Sequence, residues 1–199
     1  MERKLEAAIL TVLQEMGTPV HRSKLVKLIY LAENMFYEHF GRTITGLGYM
    51  WDDYGPNAVS NAIVKEAQKL VQRDFVCMKT GTSIYGTENY LYSLGPEKTN
   101  IERLTESLEP LERYVLIDTV KRYRDYNVTK IVAASKGTIP FKKARQYQVL
   151  QMEQSSEYVS LVQILQRDTG VMAAVAEGTK AGADAEGINL AEFKQKYGL

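Results

Sequence analysis

Apolar residues recur at helical spacing from the first turns of the chain. Leu5, Ile9, Val12, Leu13 and Met16 share one face before Gly17 and Pro19 stop the run. A second stripe, Leu25, Leu28, Ile29, Ala32, Met35, Phe36 and Phe40, predicts a helix from about Arg22 or Ser23 that ends at Gly41, a residue suited to a left-handed cap. Leu47, Tyr49 and Trp51 alternate with Gly48 and Met50, the period of a short half-buried strand. Tyr54-Gly55-Pro56 breaks that strand, and Pro56 suits the first position of a third helix whose buried face is Val59, Ile63, Ala67 and Leu70 and which ends near Arg73. Phe75 to Lys79 and Tyr90 to Leu94 then predict a hairpin with a wing-like loop over Thr80 to Glu88.

Beyond Gly95-Pro96 the pattern is helical again. Thr99 and Glu102 have capping-box spacing, Pro110 opens a helix with Leu111, Tyr114, Val115 and Ile117 inward, and Val128 to Ser135 forms a short one. After the Gly137 to Phe141 break, helices are expected over Lys142 to Met152 and Glu157 to Gln166. Val171 to Gly187 is rich in Ala and Gly and buries little apolar area against its ordering entropy, so a flexible tail with a short terminal helix at Asn189 to Tyr197 is expected. The predicted class is mainly α (α+β), a helical domain with a small antiparallel hairpin. Residues 1–168 form one domain, winged-helix-like over 1–95 and helical over 96–168, and 169–199 form the tail. The winged-helix comparison is imperfect, because the predicted strand lies between the second and third helices instead of the first and second. The tail is a candidate for homo-oligomer contacts.

With 199 residues, 45% apolar and 25% charged, the chain has the composition of an ordinary globular protein and enough length for a sizeable core. A net charge of +1 leaves room for charged patches but not for a global field directed at DNA or membranes. No window approaches the roughly 18 apolar residues of a membrane span. The single cysteine, Cys77, lies in the apolar run Phe75-Val76-Cys77-Met78 and is expected in the core of a protein kept in a reducing, cytoplasmic setting.

Candidate chemistry is sparse. His21 and His39 have no metal-ligand spacing, so neither a zinc site nor a cofactor is expected, and Cys77 lacks electropositive neighbours. Asp52 and Asp53 adjoin on a predicted strand end and point to opposite sides, which suits a turn better than an acid–base pair. No phosphate loop is present, since Gly46-Leu47-Gly48 precedes a strand. No enzymatic activity is expected.

Asn61, Lys65, Lys69 and Arg73 follow one another at i, i+4 and make one stripe on the third helix. Such a stripe could meet DNA, the alternative function being a winged-helix regulator, or could be a solvated face next to Glu66. A second basic cluster, Lys136, Lys142, Lys143 and Arg145, surrounds Pro140-Phe141 with no acidic residue from Lys130 to Met152. It reads either as a core plug at a helix start or as the centre of an interface for an acidic partner. Tyr30 and Tyr54 could simply pack the second helix against the Gly55-Pro56 turn, but Lys27, Tyr30, Tyr54 and Asn57 are expected to stand on display and line a partner-facing cleft, with Lys142, Lys143 and Arg145 as further partner-binding residues.

The run Lys24-Leu25-Val26-Lys27-Leu28-Ile29-Tyr30-Leu31-Ala32, followed by Ile44-Thr45-Gly46, Tyr49 and Tyr54-Gly55-Pro56, resembles the Panacea domain, the SocA-like antitoxin family, with its K-L-x-K-L-x-Y-x-A helix and aromatic-Gly-Pro turn. The likeness is clearest over roughly the first 75 residues and weaker from Tyr126 to Leu150. Phe141 stands where the family usually has Trp, Lys136 where a His is usual, and Asn57 where Val is usual. The resemblance implies a non-enzymatic module that binds and neutralises a co-encoded toxin, or hands it to a protease as an adaptor. It implies a protein partner; DNA is the alternative one.

Overall fold

The structure, a computed structural model, describes residues 2–82, 86, 88–96 and 101–154. In chain order the elements are α1 (Glu2–Met16), β1 (Val20–His21), α2 (Arg22–Phe40), β2 (Tyr49–Met50), β3 (Asn57–Ala58), a 3-10 turn (Val59–Asn61), α3 (Ala62–Gln72), β4 (Val76–Thr82), β5 (Glu88–Leu94), α4 (Ile101–Thr105), α5 (Pro110–Tyr123), α6 (Val128–Lys136) and α7 (Ile139–Lys143). Helices dominate and the strands form two small antiparallel sheets, ordered β1-β5-β4 and β2-β3. The expected mainly α (α+β) class is therefore observed.

The axis of the domain is α2. Its neighbours are α1, α3, α5 and α6, so its apolar stripe widens into burial on almost every side, from Leu25 to Phe36. Each Leu, Ile or Phe withdrawn from water there contributes about 1.5–3 kcal/mol against the entropy of ordering the chain. Gly41 closes the helix at φ +67°, its N–H donating to Tyr37 O at 2.9 Å, as its left-handed cap role requires. His21 opens it: Nδ1 accepts from the Ser23 N–H at 3.2 Å, which leaves Nε2 to donate to Asn89 Oδ1 at 3.1 Å. That ring ties the start of α2 to β5.

Several boundaries differ from expectation. β1 is a strand the apolar pattern did not reveal, because two residues are too few to display a period; Val20 pairs with Tyr92 and His21 with Leu91. It places a strand between α1 and α2. Pro56 does not begin α3. It precedes β3, which pairs with β2 in the register Tyr49↔Ala58 and Met50↔Asn57, and α3 begins only at Ala62 after Ser60 and Asn61 adopt φ +58° and +55°. Helix over Lys142 to Met152 is also corrected, since α7 ends at Lys143 and Ala144 turns extended with ψ 146°. The capping box at Thr99 to Glu102, the helix from Glu157 and the whole 169–199 tail lie outside the described residues.

The hairpin β4-β5 runs from Val76↔Leu94 to Thr82↔Glu88. Its base is held by close backbone contact: a Cβ on Gly95 would lie 2.0 Å from Asp74 O. Only Val76 of β4 is buried, and Cys77 is exposed, which overturns its expected place in the core. The apolar run looked like interior, but successive side chains alternate faces and the hairpin leaves the body after its first residue. Cys77 should therefore react stoichiometrically with a thiol reagent in the native protein, within about tenfold of the rate for a small free thiol. Reaction only after adding denaturant would contradict the exposed placement.

Candidate partner-binding surface

The polar residues of α2 at three-residue spacing wind along one flank, and each reaches inward to a different segment. Lys24 Nζ donates to Arg124 O at 2.5 Å, capping the carbonyl end of α5 with a cation. Lys27 Nζ donates to Pro56 O at 2.6 Å. Tyr30 OH lies 2.7 Å from Thr138 Oγ1, whose own hydrogen goes to Ser135 O at 2.9 Å, so the tyrosine is the donor. One turn further, Glu33 accepts from the N–H groups of Ile44 (2.5 Å) and Thr45 (3.0 Å) and from the Thr45 hydroxyl.

The expectation that Lys27 and Tyr30 stand on display is thus overturned: Lys27 is 4% exposed and Tyr30 fully buried. Their apolar bodies fill the core while their polar tips satisfy groups of distant loops and helix ends. Burial pushes the Lys27 ammonium down to about 8, with Asp52 opposing and Lys136 assisting, and pushes the Tyr30 phenol up to about 12. Tyr49 meets Tyr30 edge-on at 5.0 Å and is raised well above its ordinary value by burial; among the described residues its hydroxyl has no hydrogen-bond partner.

What the signature helix does is fix a corner. Asp52 accepts from Tyr54 N at its Oδ1 (2.9 Å) and from Gly55 N at its carbonyl (2.8 Å), while Lys136 Nζ holds Asp53 O at 2.6 Å. Gly55 takes φ +88° against α2 and α6, where a Cβ would meet Ser135 Oγ at 2.9 Å and Lys27 Cε at 3.3 Å. This corner turns Tyr54 outward to 77% exposure. Asn57, half-buried in β3, donates to Asn61 Oδ1 at 2.9 Å.

The Pro140-Phe141 step packs beside the same corner. Phe141 is buried and stacks on Trp51 (centroids 5.2 Å apart, planes 15°), and Tyr147 sits edge-on to Trp51 at 6.2 Å. Gln146 Nε2 and Tyr147 OH both donate to Asp53, at 3.2 and 3.3 Å. Tyr147 has φ +61° and is 61% exposed. Lys142, Lys143 and Arg145 are all exposed; Lys143 pairs with Glu153 at 2.7 Å, whereas Lys142 and Arg145 have no ion pair among the described residues. Phe141 is therefore a core plug, and the residues around it form a surface with Tyr54, as if both readings of that cluster applied to different atoms. Tyr147 was missed because it sits in a segment whose sequence reads as helix; only the turn at Tyr147 brings it round to Trp51.

The stripe on α3 is partly engaged within the domain. Arg73 pairs with Glu6 at 2.5 Å and lies over the Phe75 ring, and Lys69 pairs with Glu66 at 2.9 Å. Asn61 precedes the helix instead of sharing its face, so the four-residue stripe shortens to Lys65, Lys69 and Arg73. Lys65 is exposed.

Fold and site together define a mainly α domain built on a buried lysine–tyrosine helix that clamps a Gly-Pro corner. The chain belongs to the family described as antitoxin SocA-like, Panacea domain, whose model matches residues 25–140, from within that helix to the proline of α7. No curated protein and no solved structure matches the chain. No helix among the described residues is long and apolar enough to cross a membrane.

Proposed function

We propose that this chain is a non-enzymatic, antitoxin-like module that neutralises a partner protein by binding it on the surface around Tyr54 and Tyr147. The family membership supports the role and the geometry supports the place. The observation that carries the reading is the exposed Tyr147, edge-on to the stacked Trp51–Phe141 pair and bonded to Asp53, the residue that precedes the exposed Tyr54, with the exposed cations Lys142 and Arg145 on the same segment. Rigid aromatics with polar tips beside cations are the composition of binding hot spots. Asn57 flanks the corner, and Lys27 and Tyr30 act beneath it as supports, not as contacts. Sequestration needs nothing more than this surface; delivery of the bound partner to a protease would use the same capture step.

The element order α1-β1-α2-β2-β3-α3-β4-β5, with β1 beside β5, supports a winged-helix-like description of the N-terminal half in which β2 and β3 are inserted between the second and third helices. It is proposed here as a scaffold. With Lys69 and Arg73 paired to Glu66 and Glu6, no observation favours a DNA-binding role for α3.

The test is co-expression with the product of the adjacent gene. The wild-type chain is expected to relieve that product's growth arrest and bind it. Tyr54→Ala with Tyr147→Ala is expected to weaken binding about 100-fold or more, two truncated anchors at about 1.5–2 kcal/mol each, and to lose the relief. Both side chains are exposed, so the unfolding free energy should change by no more than about 1 kcal/mol. A neighbour that is neither toxic nor bound overturns the antitoxin reading, and undiminished binding by the double variant overturns the surface.

A further inference from the structure

Beside the aromatic surface, an extended stretch after α7 pairs with β2 of the β2-β3 sheet through a single antiparallel bridge. Trp51 N donates to Gln148 O at 2.8 Å and Leu150 N to Tyr49 O at 2.7 Å, which sets Met50 opposite Val149 in antiparallel pairing. In a ladder of this geometry the two facing residues do not bond to each other. The N–H and C=O of Val149 therefore point away from β2, out of the edge of the sheet. Neither has a hydrogen-bond partner among the described residues, and the residue is 55% exposed.

Two further observations distinguish this edge from an incidental one. It is held rigid: Gln148 N donates to Arg145 O at 3.0 Å, Arg145 N donates to Gln148 Oε1 at 3.3 Å, and Tyr147 is packed on Trp51. It is also unguarded. Gln148, Val149, Leu150 and Gln151 include neither charge nor proline, the devices by which proteins usually blunt a free edge. The nearby carboxylate of Asp53 is engaged by Gln146 and Tyr147 and that of Glu153 by Lys143, while Arg145 and Lys142 are exposed and have no ion pair among the described residues.

We propose that the edge at Gln148 to Gln151 takes an extended, carboxylate-bearing segment of the partner protein as an added strand, main chain pairing at Val149 and acidic side chains meeting Arg145 and Lys142. Main-chain bonds supply affinity, and the exposed Tyr54 and Tyr147 supply the side-chain selection. The inference rests on the binding role proposed above and names the form in which the partner binds.

A library of random dodecapeptides displayed on phage, selected against the full-length chain, tests it even while the partner is unidentified. Enriched peptides should alternate apolar with polar residues and carry at least one carboxylate. A synthetic representative should slow exchange of the Val149 amide by more than about tenfold. Val149→Pro, which removes the outward N–H but no bond within the domain, should weaken that peptide about 10–30-fold, and Val149→Thr no more than about threefold. If the proline variant fails to fold, exchange in the wild-type chain decides alone. The proposal is overturned by failure to enrich any peptide, by binding that leaves Val149 unprotected or survives Val149→Pro, or by a Val149 amide already protected in the isolated chain. That last result would put a second copy, or residues 155–199, on the edge. Relief of toxicity with no edge-bound peptide removes only the strand pairing; edge-bound peptide with no relief removes the antitoxin reading and leaves a peptide-binding edge.

Discussion

Glu33→Ala is expected to lower the unfolding free energy by about 3–5 kcal/mol, read from the urea midpoint at constant slope. The residue is fully buried and three donors converge on it, so truncation leaves Ile44 N–H, Thr45 N–H and the Thr45 hydroxyl without an acceptor inside the protein. Its carboxyl carries a further, pH-dependent signature. Burial pushes it from 4.5 up to about 7, aided by Glu112 and opposed by those three hydrogen bonds. Between the two values the folded state retains a proton that the unfolded chain has released. The stability associated with Glu33 is therefore complete below about 4.5 and is lost as pH rises through about 7. Against Glu33→Gln, which cannot titrate, the wild type should lose about 3 kcal/mol of relative stability over that interval. Lys27 bends the curve the other way at higher pH: its folded value of about 8 lies below the ordinary 10.5, so its contribution rises with pH between them. Parallel pH profiles for the wild type and Glu33→Gln would show that Glu33 does not titrate as its burial requires.

That buried carboxylate also marks where sequence reasoning stopped. Helices with one apolar flank, α1, α2, α5 and α6, were legible because period 3.6 is visible within a dozen residues. Gly41 was legible as a cap for a local reason, and it is one. The direction of Lys24, Lys27 and Tyr30 was not, because their acceptors at Arg124, Pro56 and Thr138 lie from 29 to 108 residues away in sequence. A lysine near a helix start reads as solvated until the carbonyl it caps is known. The segment after α7 failed for the converse reason. Its residues permit helix, but the bonds Trp51 N to Gln148 O and Leu150 N to Tyr49 O pull them into an extended bridge to β2 that local propensity does not predict. The candidate site was half legible: Tyr54 and the basic residues around Phe141 were identified separately, and their adjacency came only with the fold.

Gly55→Ala is the second large effect, expected at about 2–4 kcal/mol of lost stability with a disproportionate loss of partner binding. Two penalties act on the new methyl group. At φ +88° an L-residue is strained by about 1–2 kcal/mol, and the Cβ would also press on Ser135 Oγ at 2.9 Å and Lys27 Cε at 3.3 Å. Gly17→Ala separates them, since Gly17 has φ +66° with nothing within 4 Å and should show the strain alone. Adding Ser135→Ala to Gly55→Ala removes the closest obstacle and should recover about 1 kcal/mol of the contact penalty, a coupling that a double-mutant cycle measures directly. Equal costs for Gly55→Ala and Gly17→Ala would mean the corner is not closely packed against α2 and α6. The functional consequence follows from the same geometry. Lys27 bonds Pro56 O and Lys136 bonds Asp53 O on either side of this glycine, so a displaced Gly55 shifts Tyr54 and loosens Asp53, the residue to which the Tyr147 hydroxyl donates. Binding measured well below the variant's melting temperature should then fall by about tenfold or more, because the two anchors no longer present one surface.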